Sequence, residues 1–310
     1  MRAALLHLDT ALIGQDGLAE RVAAAGGMAL DARDLGPALR LWSRPRGIES
    51  LRARLREALP AAEGAALVMT GSGDFHHVSP LLLERALEAS DAPAVTVLHF
   101  DNHPDWVQFE NGVHCGSWVG WAARMPKVAK VITVGVCSRD IRRPNPRRAD
   151  LELVTGDRLE LYAYREPDGA EAVRLCGREW PTIEALGEDA FAELLAGRID
   201  TQAVYITIDK DVLRADDAAT NWDQGRTSLA LLKRLIAPLA DRHQLIGADV
   251  VGDWSPAIYG GGAIASLMKQ GEALLDQPWS RPAAAARAAN ENVNLELLQL
   301  LAPDSWGEGR

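Results

Sequence analysis

Acidic and histidine side chains cluster at several points of the sequence, and each cluster directly follows a short apolar run. The two most informative clusters are Asp101-Asn102-His103-Pro104-Asp105 and Asp209-Lys210-Asp211. Carboxylates combined with one or two imidazoles suit hard or borderline divalent ions, manganese above zinc. So many carboxylates at one place would repel one another, whereas two cations would neutralise them. A lone Asp-x-Asp is usually a turn or a helix cap, but both clusters together predict a metal site.

Two further clusters have the same position after an apolar run. Gly71–His77 reads GSGDFHH and offers either His76 or His77 as an additional ligand, of which His76 is preferred. Gly252–Pro256 reads GDWSP and contributes Asp253. Alternate residues of an extended chain project to the same side, so the side chains within each cluster can converge. The predicted metal ligands are His76, Asp101, His103, Asp105, Asp209 and Asp211.

Five apolar runs rich in β-branched residues precede or separate these clusters. Continuous apolar runs of this length are typical of strands buried on both faces, and therefore of a parallel sheet. In open α/β sheets, ligands bind beyond the carboxyl ends of the strands, which is where the clusters lie. The predicted strands are Ala65–Thr70, Ala94–Phe100, Lys130–Val136, Ala203–Ile208 and Gln244–Val251.

Helical patterns fall between the strands, which predicts one domain over residues 1–310 with a three-layer α/β/α fold and a mostly parallel sheet. Ser79-Pro80 resembles an N-cap followed by a first-turn proline. Turn signals in Leu151–Trp180 predict inserted β-hairpins, and the basic segment Arg142–Arg148 is interpreted as a solvated loop. Arg44–Gly47 is interpreted as a loop. The predicted helices are Ile48–Leu59, Leu81–Ala89, Gly116–Met125, Glu188–Ala196, Ser228–Ala240 and Asn290–Leu301.

Composition excludes several classes of function. The 310 residues carry a net charge of −10, which argues against nucleic acid or an anionic membrane as a partner and is compatible with a cationic substrate. No stretch approaches a membrane span, and the first residues lack a signal-peptide pattern. Cys115, Cys137 and Cys176 show no metal-type pairing, so free thiols in the cytoplasm are expected. The sequence leaves the oligomeric state open, and a homo-oligomer is compatible with it.

The motifs together resemble the ureohydrolase superfamily of arginases and agmatinases. Asp101–Asp105 resembles its D-A-H-x-D signature, and Asp209–Asp211 its D-x-D segment. Gly73-Asp74-Phe75-His76 is similar to its G-G-D-H element with one residue inserted. His114-Cys115-Gly116-Ser117 resembles the motif of its proton-shuttling histidine. Asp253-Trp254-Ser255-Pro256 resembles the E-x-N-P segment that binds the substrate guanidinium.

The resemblance implies an arginase-like fold with two Mn²⁺ ions per chain. Asp101 and Asp209 would bridge the ions, His76 and Asp105 would complete one site, and His103 and Asp211 the other. Water activated by the ions would attack a guanidinium carbon to give urea and a primary amine. Asp105 would orient that water, Asp253 would hold the guanidinium, and His114 would transfer a proton. Asp140 and Trp222 are further candidates for substrate contacts.

The substrate is the least defined part of the prediction. Trp106–Val113 lacks the Asn-Thr-Pro element that binds a free amino acid's carboxylate in ordinary arginases. The segments GSGDFHH and TNWDQG are more similar to a divergent branch that contains peptide arginases, so arginine within a peptide is one expected substrate. Three alternatives stay open: an agmatinase-like hydrolase of a small guanidine, a zinc-dependent deacetylase, and a non-catalytic metal-binding protein.

Overall fold

A computed structural model describes residues 1–142, 144, 148–278 and 286–303. Within these ranges, eight strands form one sheet in the order β2-β1-β4-β12-β11-β5-β7-β8, and every neighbouring pair is parallel. Two short antiparallel pairs, β3–β6 and β9–β10, lie outside it. The strands are β1 (Arg2–His7), β2 (Met28–Asp31), β3 (Trp42–Ser43), β4 (Ala66–Gly71), β5 (Val95–Phe100), β6 (Val113–His114), β7 (Val128–Val136), β8 (Leu159–Ala163), β9 (Ala172–Leu175), β10 (Arg178–Pro181), β11 (Ala203–Asp209) and β12 (Gln244–Val251).

Helices cover the sheet and bury its apolar side chains. One group, α3, α4 and α5, packs in sequence, and α4 lies against β12 and β11. A second group links α1, α12, α9 and α8 and contacts the sheet at β1 and β4. None of the described helices is both long and apolar enough to cross a lipid bilayer. The helices are α1 (Asp16–Ala24), α2 (Gly36–Leu39), α3 (Pro45–Ala58), α4 (Ser79–Ala89), α5 (Trp118–Ala123), α6 (Leu151–Thr155), α7 (Ile183–Leu186), α8 (Glu188–Arg198), α9 (Leu229–Ile236), α10 (Leu239–Arg242), α11 (Ala263–Asp276) and α12 (Ala286–Leu301).

The predicted three-layer α/β fold with a parallel sheet is confirmed. Every residue of β5 and of β11 is buried, as expected for central strands covered by helices on both faces. The five predicted strands are present, and the sheet gains β1, β2 and β8 beyond them. Two of these additional strands, β1 and β2, lie within the first 31 residues, where the sequence patterns predicted no strand.

The segment Leu151–Trp180 differs most from the prediction of inserted hairpins. Its first part is helix α6, followed by β8, which pairs in parallel with β7 as an edge strand of the main sheet. Only β9 and β10 form a hairpin. The turn signals of this segment, at residues 155–157 and 167–169, lie on either side of β8 (Leu159–Ala163) and so flank a strand of the main sheet. Within β8, Glu160 is buried, where it pairs with Lys130 and accepts hydrogen bonds from Arg198.

Smaller differences concern helix boundaries. Helix α3 begins at Pro45, with the proline in its first turn, so Arg44–Gly47 is not a loop. The helix predicted over Ser228–Ala240 is divided into α9 and α10. Helix α11 was not predicted. Of the basic segment at 142–148, residues 143 and 145–147 lie outside the described residues.

Candidate metal centre and active site

The site lies at the carboxyl ends of strands β4, β11, β5 and β7 in the middle of the sheet. A cavity of about 140 Å³ opens there. Among the predicted site residues, the structure brings all but Asp253 to its wall. The described residues that line the cavity are Gly73, His76, Asp101, His103, Pro104, Asp105, Trp106, Val107, His114, Cys115, Gly116, Ser138, Asp140, Asp209, Asp211, Trp222, Asp223 and Asp276.

His76 lies in a 3-10 helix that directly follows β4, and its Nδ1 faces three carboxylates. The distance from Nδ1 is 3.0 Å to Asp101 Oδ2, 3.2 Å to Asp105 Oδ2 and 3.6 Å to Asp209 Oδ2. This Nδ1 is buried and makes no hydrogen bond of good geometry with any described residue. Oxygens from two different strand ends thus surround one imidazole nitrogen, as in a coordination sphere.

Asp101 faces both histidines of the predicted centre. Its Oδ2 points to His76, whereas its Oδ1 accepts a hydrogen bond from the backbone N–H of His103 at 2.6 Å and lies 3.5 Å from His103 Nδ1. His103 Nδ1 is also 3.0 Å from Asp211 Oδ2. With one oxygen turned to each group, Asp101 occupies the position that a bridging carboxylate requires.

The backbone around Asp105 explains how that carboxylate reaches the cluster. Strand β5 ends at Phe100, so Asp105 does not arrive by strand alternation as the sequence pattern suggested. Its φ of 46° is in the left-handed region, which costs of order 1 kcal/mol for a residue other than glycine. Trp118 donates its indole N–H to Asp105 Oδ2 at 2.6 Å. The left-handed turn and this hydrogen bond together direct the carboxylate toward His76.

Asp209 is the last residue of β11, and two glycines allow its close packing. A Cβ at Gly73 would lie 2.5 Å from Asp209 Oδ2, and one at Gly252 would lie 2.4 Å from Oδ1. Gly252 also has a φ of +100°, a conformation that favours glycine. Asp209 Oδ1 accepts the backbone N–H of Asp211 at 3.0 Å. Any larger side chain at either glycine would displace this carboxylate.

The electrostatics of the cluster fit divalent cations. Burial, followed by the charge of Asp101, raises the pKa of Asp209 to about 7. Burial, with Asp101 and Asp209, raises the pKa of Asp211 well above its ordinary range. Burial lowers the pKa of His76, but its contacts with Asp101 and Asp105 more than reverse that effect. Buried carboxylates that hinder one another's ionisation, beside an imidazole Nδ1 without a hydrogen bond, match the ligand set of a metal centre.

A buried hydrogen-bond relay fixes the orientation of His76 from behind. His76 Nε2 lies 2.9 Å from Thr207 Oγ1, and Thr207 donates to Asp249 Oδ1 at 2.9 Å. Asp249 is fully buried and also accepts hydrogen bonds from Ser79 and Tyr205, at 2.7 and 2.6 Å. Because the Thr207 hydroxyl proton goes to Asp249, its oxygen accepts from His76 Nε2–H. This tautomer leaves the lone pair on Nδ1, which faces the carboxylates.

The neighbouring histidines have different environments. His99 was not among the predicted ligands, yet its Nε2 lies 2.9 Å from Asp101 Oδ2 and its Nδ1 lies 3.0 Å from Thr133 Oγ1. Both its nitrogens are engaged, so His99 orients Asp101. His77 is fully buried and neither ring nitrogen forms a hydrogen bond with a described residue; burial, then the charge of His114, lowers its pKa to about 3. Of the two adjacent histidines, His76 is the one that lies among the carboxylates.

His114 lines the cavity and is held by a carboxylate that the sequence did not reveal. Its Nδ1 accepts the backbone N–H of Gly116 at 2.8 Å, so Nε2 carries the proton and donates it to Glu272 Oε1. Glu272 Oε2 accepts the indole N–H of Trp42 at 3.1 Å. Glu272 lies on α11, where Lys269, Glu272 and Asp276 recur at helical spacing. That spacing was the available sequence signal for a polar face turned toward the site.

Asp253 lies outside the cavity, in contrast to its predicted contact with the guanidinium. Its carboxylate accepts hydrogen bonds from Lys210 Nζ and from Asn294 Nδ2, the latter at 3.0 Å. Lys210 and Asp253 are both buried. Lys210 stands between the two clustered aspartates Asp209 and Asp211 but points away from them, and it takes Asp253 as its ionic partner. This buried pairing keeps Asp253 from the substrate side.

The outer wall of the cavity is acidic and aromatic. Asp223 Oδ1 lies 3.0 Å from His103 Nε2, which holds that ring in place. Trp222 lies edge-on to His103, with ring centroids 5.8 Å apart, and its indole N–H donates to Asp74 at 2.9 Å. Asp140 and Asp276 complete this part of the wall. The wall can therefore receive a cationic group of a substrate.

Comparisons with known proteins agree with this geometry. Residues 27–259 match the Arginase family, and a search of curated proteins gives no match. Arginase from Bacillus subtilis superposes with a TM-score of 0.60 at 15% identity, over 99% of this chain and 98% of that chain. A hypothetical agmatinase from Burkholderia thailandensis gives 0.58 at 15% identity, over 97% and 85%. Formimidoylglutamase from Bacillus subtilis gives 0.51 at 12% identity, over 96% and 88%. These structural likenesses show the shared fold, and the family match confirms the resemblance indicated by the motifs.

Proposed function

We propose that this chain, which belongs to the arginase family, is a dinuclear manganese amidinohydrolase that releases urea from an arginine side chain carried in a peptide. The convergence of the predicted ligands on one cavity supports the hydrolase. The observation that carries the peptide substrate is the composition of the cavity wall. None of its described lining residues is a lysine or an arginine, so the described wall offers the carboxylate of free arginine no permanent positive charge.

The ligands divide into two sets that share two carboxylates. His76 and Asp105 would hold one ion and His103 and Asp211 the other, with Asp101 and Asp209 common to both; Asp101 faces both histidines. Bound divalent ions would supply positive charge and lower the pKa of water at neutral pH. A ligand set dominated by carboxylates favours Mn²⁺ over Zn²⁺.

Other residues of the chain position these groups and move the proton. Trp118 holds Asp105, which is placed to orient the attacking water. His114 lies at the cavity wall, and the hydrogen bonds at its two ring nitrogens, to Gly116 and to Glu272, fix the ring there. For His114 to give a proton to the departing amine, the Nε2–H must turn from Glu272 to the substrate. The products are urea and, at the substrate, an ornithine side chain.

Because Asp253 lies outside the cavity, the acidic residues of the cavity wall are the candidates for binding the guanidinium. Asp140 and Asp276 line the cavity and provide carboxylates for charge-assisted hydrogen bonds to a planar cation. The same wall favours a second candidate, hydrolysis of agmatine, in which an amine replaces the amino-acid end of the substrate. Both candidate substrates lack the free carboxylate, for which the described wall offers no lysine or arginine.

The deciding experiment compares four substrates with Mn²⁺-loaded protein: arginine, agmatine, Nα-acetylarginine amide and an arginine-containing peptide. We expect urea release, and a mass decrease of one CH₂N₂ unit, with the peptide and the amide at far higher kcat/KM than with free arginine. Preference for agmatine would select the second candidate. Metal analysis that gives one zinc per chain, or metal binding without urea release from any guanidine, would contradict the hydrolase proposal.

A further inference from the structure

Helix α11 has its apolar and polar faces reversed relative to an ordinary surface helix. Five large apolar side chains on it are between 56% and 86% exposed. Its buried face instead carries Lys269, whose Nζ donates to Ala38 O at 2.7 Å, and Glu272, which holds His114. A surface helix normally turns its apolar stripe toward the core. The exposed stripe, which we call the α11 stripe, consists of Ile264, Leu267, Met268, Gly271, Leu274 and Leu275.

The α11 stripe is continuous and regular. At 100° per residue, all its members lie within about 60° of Gly271, so they form one straight band along the helix. A Cβ at Gly271 would meet no described atom within 4 Å, so the centre of the band is open. Its spacing of three and four residues is that of a helix–helix seam. The band is therefore shaped for another helix to pack along it.

The stripe is symmetric about Gly271, with Leu267 and Met268 matched by Leu275 and Leu274, and its charge pattern permits a second copy of this chain as the partner. The chain has a net charge of −10, so most faces of two copies repel each other. The α11 stripe contains no charged residue, which removes this repulsion at one place. Its five large apolar side chains are more than half exposed and would form the apolar centre of an interface, which in specific complexes buries roughly 800 Å² per partner.

We propose that the α11 stripe is a two-fold interface at which two copies of the chain pair through antiparallel α11 helices. An isologous interface brings each residue opposite its symmetry mate or its reciprocal partner. With Gly271 on the axis, Leu267 of one protomer faces Leu275 of the other, and Gly271 lets the two backbones approach closely. The pairing also covers the outer side of a helix whose inner side carries Glu272 and the cavity-lining residue Asp276.

The first test is the mass of the protein in solution. We expect wild type to sediment as a dimer, and Leu275→Glu to weaken the dimer Kd by at least 100-fold because it buries a charge opposite Leu267. Gln270→Glu is the matched control, since it adds the same charge to the same helix outside the stripe. A wild type that stays monomeric, or an oligomer that Leu275→Glu leaves unchanged, would overturn the proposal.

The second test maps the axis directly. In a Cys176→Ser background, Gly271→Cys should form an intermolecular disulfide under mild oxidation, whereas Gln270→Cys should form much less. Near-ultraviolet circular dichroism of each variant checks that its fold is retained. If the wild type is monomeric and Leu275→Glu raises KM only for peptide substrates, the α11 stripe would be a docking site for the peptide and not an interface between two copies. These measurements report association of the chain and not urea release, so their outcome does not depend on whether the proposed hydrolase activity is correct.

Discussion

Replacing Asp253 with asparagine separates two explanations of this residue. If Asp253 held the guanidinium, the variant would fold normally and lose substrate affinity. The structure instead pairs it with Lys210 in the interior, where Lys210 is fully buried. We therefore expect Asp253→Asn to reduce stability, because the buried lysine must then either stay charged without an ionic partner or give up its proton on folding.

The size of the effect follows from the lysine. Burial lowers the pKa of Lys210 from its ordinary 10.5, and Asp253 opposes that shift. Without Asp253, the lysine can escape its unpaired charge only by losing a proton, which at pH 7 costs at most about 5 kcal/mol. Breaking one side of a buried ion pair usually costs about 3–5 kcal/mol. For a chain of this length that lowers Tm by roughly 5–10 °C.

Thermal and urea unfolding provide the assay, with two matched variants. Asp157→Asn alters an ion pair that is largely exposed and should change stability by less than about 0.5 kcal/mol. The double variant Asp253→Asn/Lys210→Met removes both charges and should recover most of the loss. The deficit of Asp253→Asn should also shrink between pH 7 and 9, because the unfolded lysine binds a proton that the folded lysine has lost. A variant as stable as wild type, with only KM raised, would refute this reasoning.

Three further predictions concern the metal centre and the proton donor. Asp249→Asn should weaken Mn²⁺ binding about 10- to 100-fold by releasing the relay behind His76; calorimetric titration measures this, and unchanged affinity would contradict the relay. Burial and Asp101 raise the pKa of Asp209 to about 7, so a cation must displace a proton there, and Mn²⁺ affinity should rise by up to about tenfold per unit between pH 6 and 8. A flat profile would argue against Asp209 as a ligand. Glu272→Gln should lower kcat about 10- to 100-fold with little change in KM, because His114 loses the carboxylate that orients it; a change in KM alone would make Glu272 a substrate contact.

The sequence predicted the parts of the site that follow directly from the strands. Asp101 and Asp209 lie at strand ends because continuous apolar runs stop there, and such runs are readable without a structure. Glu272 was not predicted because it reaches His114 from a helix about 160 residues further along the chain, and only packing brings them together. Asp253 lies outside the cavity although its motif resembles a substrate-binding segment, because its buried partner Lys210 decides its environment. Strand β8 was missed because the turn signals on either side of it resemble those of a hairpin, and only the packing shows that it pairs with β7.

The order of the central strands has a consequence for how the site forms. His76 follows β4 and Asp101 follows β5, and these strands are consecutive in the chain, yet β12 and β11 lie between them in the sheet. The first half of the chain therefore cannot close the centre by itself, because two strands from the second half must enter the gap. Pairings between such distant segments are slow steps in folding. Cation binding should thus appear only in the final kinetic phase of refolding, after most helical signal has returned.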